Sequence, residues 1–175
     1  MGKKDSFNAQ LSGETLSSNS KKAYTLSKES SFGERVNEKI IYSLSEGFFL
    51  FKNKGMKINF GKKLLNESEL IVKFSKIDKN FSTKYRVYEG LRKKGFILKS
   101  AIKYGADFSL YGKGKKPGTA HSEWLLSVQK FSGKVKWEEF ILKNRVANST
   151  KKKVLLAIED GEGNILYYEI NWKKF

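Results

Sequence analysis

The chain has 175 residues, with no cysteine, one histidine, one proline, and 35 lysine and arginine side chains against 18 acidic ones, a net charge of +17. Without cysteine it forms neither disulfides nor thiolate metal sites, and one histidine excludes a histidine-rich metal centre within one chain. An oxygen-ligand site for a hard cation is the only metal chemistry left open. The 39% hydrophobic and 14% aromatic content suffices for a buried core, so wholesale disorder is not expected. The unpaired basic excess predicts a polyanionic partner, nucleic acid before anionic membrane, with an attraction that weakens as salt rises. No run approaches the roughly 18 apolar residues of a membrane span. No early apolar run precedes a small-residue cleavage site. A soluble, cytoplasmic protein without a membrane partner is expected.

Residues 1 to about 33 are rich in Ser, Lys and Asn and read as a mobile arm or a few short strands. Val36 to Tyr42 reads as a short strand. Ser43-Leu-Ser-Glu46 has the spacing of a capping box, and Leu44, Phe48 and Phe51 continue a helical stripe that Gly55 stops. Met56, Ile58 and Phe60 alternate as a strand. Asn66 to about Asn80 is predicted helical, with Leu70, Phe74 and Ile77 on one face. A domain boundary is expected near Phe81, giving an N-terminal domain of 1–81 and a second domain of 82–175. Ser82 is a candidate cap for a helix running through Lys94 with Val87, Tyr88 and Leu91 apolar, ended by Gly95. Phe96 to Leu98 and Ala101 to Tyr111 read as strands, and His121 to Val128 alternates with Trp124, Leu126 and Val128 on one side. Trp137 to Ser149 reads as helix. Val154–Ile158 and Ile165–Trp172 flank "EDGEGN", a strong hairpin signal. The order predicts an α+β protein: a small N-terminal α/β domain, then a mixed-sheet domain with flanking helices.

The segment "GADFSLYGKGKKPGTAHSEW" (105–124) holds the only histidine and the only proline. A lone histidine in a basic chain is most often a surface residue, a strand-end tyrosine most often core, and a run of lysines after a helix most often solvated. The longer pattern changes that reading. "KYGADFSLY" (Lys103–Tyr111), "HSEWLLSV" (His121–Val128) and "RVANSTKKKVLLAIEDGEGNILYY" (Arg145–Tyr168), with "YSLSEGFFLF" and "YRVYEGLRKKGFILK" before them, resemble the archaeal tRNA-splicing endonucleases in order and spacing. The likeness covers roughly residues 34 to 175.

The resemblance implies a nuclease domain that cleaves RNA without metal or cofactor through a tyrosine, a histidine and a lysine. They match Tyr111, His121 and Lys152, ten and thirty-one positions apart. Cleavage by the RNA's own 2′-hydroxyl needs a base for that proton, an acid for the departing 5′-oxygen and a cation for the charge gathering on phosphorus. An imidazole suits the acid role and an ammonium the electrostatic one. A phenol ordinarily holds its proton to about pH 10, so Tyr111 as base relies on cations nearby, and its loop carries Lys113, Lys115 and Lys116.

The family also sandwiches an extruded nucleotide between two flat side chains. Arg145 matches the first, and Trp172 is the candidate for the second, through stacking and cation–π attraction. The implied substrate is precursor tRNA with a bulge–helix–bulge at the exon–intron junction, read by shape more than by sequence. The implied assembly is a homotetramer, or a heterotetramer with a structural subunit. Glu138 and Glu139 are candidates for an acidic contact to a neighbouring subunit, and "ILYYEINW" for a strand paired across a boundary.

Two rival readings stay open. One is a non-catalytic, RNA-binding structural subunit. The other is a magnesium-dependent nuclease using Asp107 and Glu123, though Glu123 is followed by Trp124 and Leu125 rather than by a lysine two positions on. Asp107 is expected to tie a turn or a basic neighbour in place.

Overall fold

The computed structural model describes residues 6–173 and 175, so the expectation for residues 1–5 lies outside the described residues. The chain divides into two compact units, Met1–Tyr85 and Arg86–Phe175.

In the first unit, β1 (Phe7–Ser12) and β2 (Thr15–Ser18) form a hairpin in which Phe7, Ala9 and Leu11 point inward and their neighbours outward, as strand alternation requires. The helix α1 (Lys21–Ser30) that follows was not expected, because its polar sequence buries only Ala23. Ser20 caps it, accepting from the Ala23 amide at 3.2 Å. Residues 36–42 are not one strand. They divide between β3 (Glu34–Val36) and β4 (Lys39–Tyr42), turned at Asn37 with φ 53°, a backbone that asparagine tolerates.

Helix α2 (Leu44–Lys54) is capped by Ser43 as expected, but Glu46 turns away from the capping box and accepts from the Gly33 amide at 2.7 Å. The helix lies so close to β2 that a Cβ on Gly47 would sit 2.0 Å from Leu16 Cδ1. Strands β5 (Met56–Phe60) and β6 (Lys63–Leu64) and helix α3 (Glu67–Ile77) follow, the helix opened by a complete Asn66–Glu69 capping box. The sheet order is β3-β4-β2-β1-β5-β6, with β1 and β5 parallel. Phe48 of α2 anchors the core, its ring centroid 4.7–6.2 Å from those of Phe51, Phe74, Phe81 and Tyr85. Offset and edge-on aromatic pairs of this kind add to the area they bury.

Helix α4 (Phe81–Lys93) runs through the division between the units. It starts one residue before Ser82, so that serine sits in the first turn rather than at the cap. The second unit then lays down β7 (Ile97–Ser100), a 3-10 turn (Ile102–Tyr104), β8 (Phe108–Tyr111), β9 (Trp124–Lys130), α5 (Trp137–Ser149), β10 (Lys153–Glu159) and β11 (Ile165–Ile170). Of the expected strand 101–111 only the last four residues are strand. Gly105, at φ 69°, closes the turn before them.

The sheet order is β11-β10-β9-β8-β7. β9 and β10 are parallel, joined through α5, and the other pairs are antiparallel. One face packs on α4, Tyr88 against Phe108 at 5.8 Å. The other packs on α5, with Ala147 among Ala101, Ala106, Leu125 and Val154. The central strand β9 is therefore covered on both sides, and Leu125 to Val128 are all buried. The expected one-sided alternation fails for that reason. Asp107 ties this layer together, its Oδ2 accepting from the Val128 amide at 2.8 Å.

Candidate active site

The ladder of the second sheet gathers strand ends that are far apart in sequence. Ile97 lies opposite Tyr111, Leu110 opposite Trp124, Trp124 opposite Lys153, and Val154 opposite Ile170. The last residue of β8, the residues before β9, those before β10 and the end of β11 thus share one end of the sheet. Backbone bonds close that end: the Glu123 amide donates to Leu110 O at 2.9 Å, the Lys153 amide to Glu123 O at 3.0 Å, and the Lys152 amide to Ala147 O at 2.8 Å. Tyr111, half-buried, ends β8, and His121, exposed, stands three residues before β9. Lys152, half-buried, stands immediately before β10.

Strand alternation then sorts the side chains between the faces. Trp124 and Lys153 face each other across the ladder on the α4 side, and Glu169 joins them. Its carboxylate accepts from Trp124 Nε1 at 2.8 Å and from Lys153 Nζ at 2.8 Å, with Asn171 Nδ2 at 3.2 Å. The Lys153 ammonium, then the indole and amide donors, hold the Glu169 carboxyl down at about 2. Tyr111 falls on the α5 side with Ser109 and Leu125, and so do Val154 and Ile170. On that side a cleft of about 210 Å³ opens between the end of α5 and the ends of β10 and β11, lined by Asn148, Lys151, Lys152, Asn171 and Trp172 among others, with Lys153 at its border. Trp172 lies two residues beyond β11 and is 59% exposed. Arg145 is exposed on α5, outside that lining.

The basic loop after Tyr111 is two consecutive tight turns. The Lys115 amide donates to Gly112 O at 3.0 Å with Gly114 at φ 78°, and the Thr119 amide to Lys116 O at 3.3 Å with Gly118 at φ 88°. The proline at 117 pre-sets the second turn and glycine at 118 supplies its left-handed residue. The loop's lysines are differently placed. Lys115 is ion-paired with Glu123 at 2.5 Å, and Lys113 sits 5.5 Å from the Phe96 ring centroid.

Glu123, weighed from the sequence only as a magnesium ligand, has a loop-holding role that sequence reasoning missed. Besides holding Lys115, its carboxylate presses on Gly112, where a Cβ would come within 2.5 Å of Oε1. It therefore pins both ends of the turn that follows Tyr111. The only hint in the sequence was the glycine directly after the strand-end tyrosine.

Asp107 and Glu123 do not share a site. Asp107 lies level with Ser127 along β9, four residues from Glu123, which at the rise of a strand is roughly 13 Å. Among the described residues no three His, Cys, Asp or Glu side chains gather into a cluster. Glu138 and Glu139 are exposed in the first turn of α5, where the helix dipole favours acids in any case.

Residues 81–167 match the family "tRNA intron endonuclease, catalytic C-terminal domain". Across nearly the whole chain there are curated relatives. A tRNA-splicing endonuclease of Pyrococcus furiosus is 33% identical over 166 residues, 94% of this chain and 95% of the relative. One of Thermococcus onnurineus is 35% identical over 173 residues, 98% and 99%. One of Nanoarchaeum equitans is 36% identical over 151 residues, 82% and 96%. The match spans both units of the fold and includes the sheet end just described, and the chain belongs to the tRNA intron endonuclease family.

Proposed function

We propose that this chain is the catalytic subunit of a tRNA-splicing endonuclease, cutting precursor tRNA at bulge–helix–bulge junctions by attack of a ribose 2′-hydroxyl on the adjacent phosphodiester. Tyr111 takes the 2′-hydroxyl proton as the new P–O2′ bond forms. The P–O5′ bond breaks, and His121 gives its proton to the departing 5′-oxygen. Lys152 stands by the non-bridging oxygens, where negative charge accumulates. The products are a 2′,3′-cyclic phosphate and a 5′-hydroxyl. No step calls for a metal.

The observation that carries this reading is the ladder itself. The pairing of β8 with β9 and of β9 with β10 brings the backbone positions of a phenol, an imidazole and an ammonium to one sheet end. Trp172 lines the cleft at that end and Arg145 is exposed on α5; an indole and a guanidinium both offer flat faces suited to the grip of an unpaired base. Lys113 and Lys116 are the contacts proposed for the RNA backbone, while Lys115 has the more structural part. The exposed edge strand β11, with Leu166 46% and Tyr168 51% exposed, supports a working oligomer paired along that edge, a homotetramer or a heterotetramer with a structural subunit. Glu138 and Glu139 are the acidic contacts proposed for it. Among the described residues no helix is long and apolar enough to cross a membrane.

Cleavage of a bulge–helix–bulge RNA in EDTA, with His121→Ala alongside, tests the proposal. The expected result is cyclic-phosphate ends from the parent and a loss of about 10²–10⁴-fold in the variant, the range of general acid–base catalysis. Equal cleavage by both would remove His121 from the mechanism. Cleavage that stops in EDTA would favour metal chemistry.

A further inference from the structure

The turn from α5 into β10 breaks a local rule. Lys151 follows the Thr150 cap with φ 54°, in the left-handed region that glycine or asparagine ordinarily takes after a helix, because a Cβ there crowds the neighbouring carbonyl. Among the described residues the other non-glycine positions with positive φ are Ser31 and Asn37, both short. The turn itself does not ask for lysine. Its bonds are made by backbone, the Lys151 amide to Asn148 O at 3.0 Å and the Lys152 amide to Ala147 O at 2.8 Å, and glycine forms them equally well. Nor does the helix dipole require it. A cation is favoured near a C-terminus, yet the last turn of α5 carries none, although a lysine there would serve without backbone cost.

What the lysine at this position does is line the cleft. It lines the same space as Lys152, Lys153, Asn148, Asn171 and Trp172. The next lysine in the chain, Lys153, is neutralised by Glu169 at 2.8 Å. Among the described residues neither Lys151 nor Lys152 has an acidic partner. Two lysines that line one cleft without an acidic partner, one of them held in a disfavoured backbone, suit an anion, and strain of this kind persists where function retains it.

We propose that Lys151 binds a phosphate of the substrate RNA adjacent to the one on which Lys152 acts, so that the α5–β10 turn is a two-lysine backbone clamp. The inference rests on the function proposed above. Lys151 grips RNA equally before and during the reaction, so its loss raises KM and leaves kcat alone, whereas loss of a group acting on the scissile phosphate lowers kcat.

The test compares the full-length parent with Lys151→Gly and Lys151→Arg. Readouts are thermal unfolding, steady-state cleavage of a bulge–helix–bulge RNA, and binding, at several salt concentrations, of the same RNA carrying 2′-deoxyribose at the cleavage positions. The expected Lys151→Gly protein unfolds no earlier than the parent, because the turn prefers glycine. Its KM rises about tenfold, the loss of one charge-assisted contact, with kcat within about twofold. Its plot of log affinity against log salt is shallower by roughly 0.7–0.9, one phosphate's worth. Lys151→Arg restores both. A parental KM and salt slope in Lys151→Gly would overturn the proposal, and so would a lowered unfolding temperature, which would make the lysine a support of the fold. If the parent itself neither binds nor cuts this RNA, the proposed function falls and the clamp with it. Activity in the parent with no change in the variant removes the clamp alone.

Discussion

At the site end of the second sheet the two faces handle their charges differently. On the α4 side Lys153 and Trp124 converge on Glu169 in a closed set of hydrogen bonds, and the lysine's charge is cancelled within the fold. On the α5 side Lys152 and Lys151 border an open cleft, and the acid that lies on that side, Glu123, turns to Lys115 in the loop. Three consecutive lysines are placed differently by the backbone: Lys153 opens β10 and pairs with Glu169, Lys152 stands just before the strand, and Lys151 takes the left-handed backbone that ends α5. A run of like charges is thus not one feature. In the function proposed above, the unneutralised face meets substrate and the neutralised face holds the sheet end.

Exchanging single lysines breaks the comparison most severely. Lys152→Ala is expected to lower kcat by about 10²–10³, the loss typical of removing one group that stabilises transition-state charge, with an unfolding temperature close to the parent's. Lys153→Ala is expected to do the reverse: cleavage within a few-fold, and a small loss of stability, since an exposed, solvent-screened pair contributes little. Cleavage assays and thermal unfolding on the two proteins decide it. Equal losses of activity would show that both faces touch substrate.

Much of the scaffold for this arrangement was legible in sequence because its signals are local. The serine cap of α2, the extent of α5 and the hairpin of β10 and β11 are written within a few residues of themselves. The misses have a different origin. Helix α1 buries a single residue and so carries no stripe to read. The segment 101–107 is apolar enough for a strand, but it turns at Gly105 and lets Asp107 bind the amide of Val128, a partner 21 positions away. β9 does not alternate because helices cover both its faces, which no single strand can announce. At the site, Tyr111, His121 and Lys152 were visible only as a spacing. The partners that distinguish one lysine from another are set by strand register: Glu169 for Lys153, Glu123 for Lys115, and the left-handed turn for Lys151. Register is a property of pairing between distant segments.

Glu123 tests the α5 side in another way, because its contacts with Lys115 and Gly112 are structural. Glu123→Gln keeps the shape beside Gly112 but gives up the ion pair with Lys115. The loop after Tyr111 then loosens by the worth of an exposed pair, and kcat/KM is expected to fall roughly two- to five-fold, the equivalent of about 0.5–1 kcal/mol. Faster amide hydrogen exchange between Gly112 and Lys116 would accompany it. An unchanged exchange rate with reduced cleavage would assign Glu123 a direct part in the chemistry instead.

The smallest effect belongs to the α4 side and is read through pH. The Glu169 carboxyl is held at about 2 by Lys153, then Trp124 and Asn171, whereas in the unfolded chain a glutamate titrates at roughly 4.3. A carboxyl depressed in the folded state binds its proton more readily when unfolded. Its contribution to stability is therefore fully present above the unfolded value and is lost as pH falls through the folded one. Glu169→Gln keeps an acceptor for the indole but has no charge to titrate. The parent should unfold at a slightly higher temperature than the variant at pH 6, and the gap should close as the pH is lowered from about 4.5 toward 2. Because the carboxylate is exposed, solvent and salt screen the pair and keep the gap small. A gap of the same size at both ends of that range would mean that Lys153 is not neutralised by Glu169 in solution. Lys153 would then be a third cation available to RNA, the two faces would not differ in kind, and the selectivity assigned to the Lys151–Lys152 turn would lose its basis.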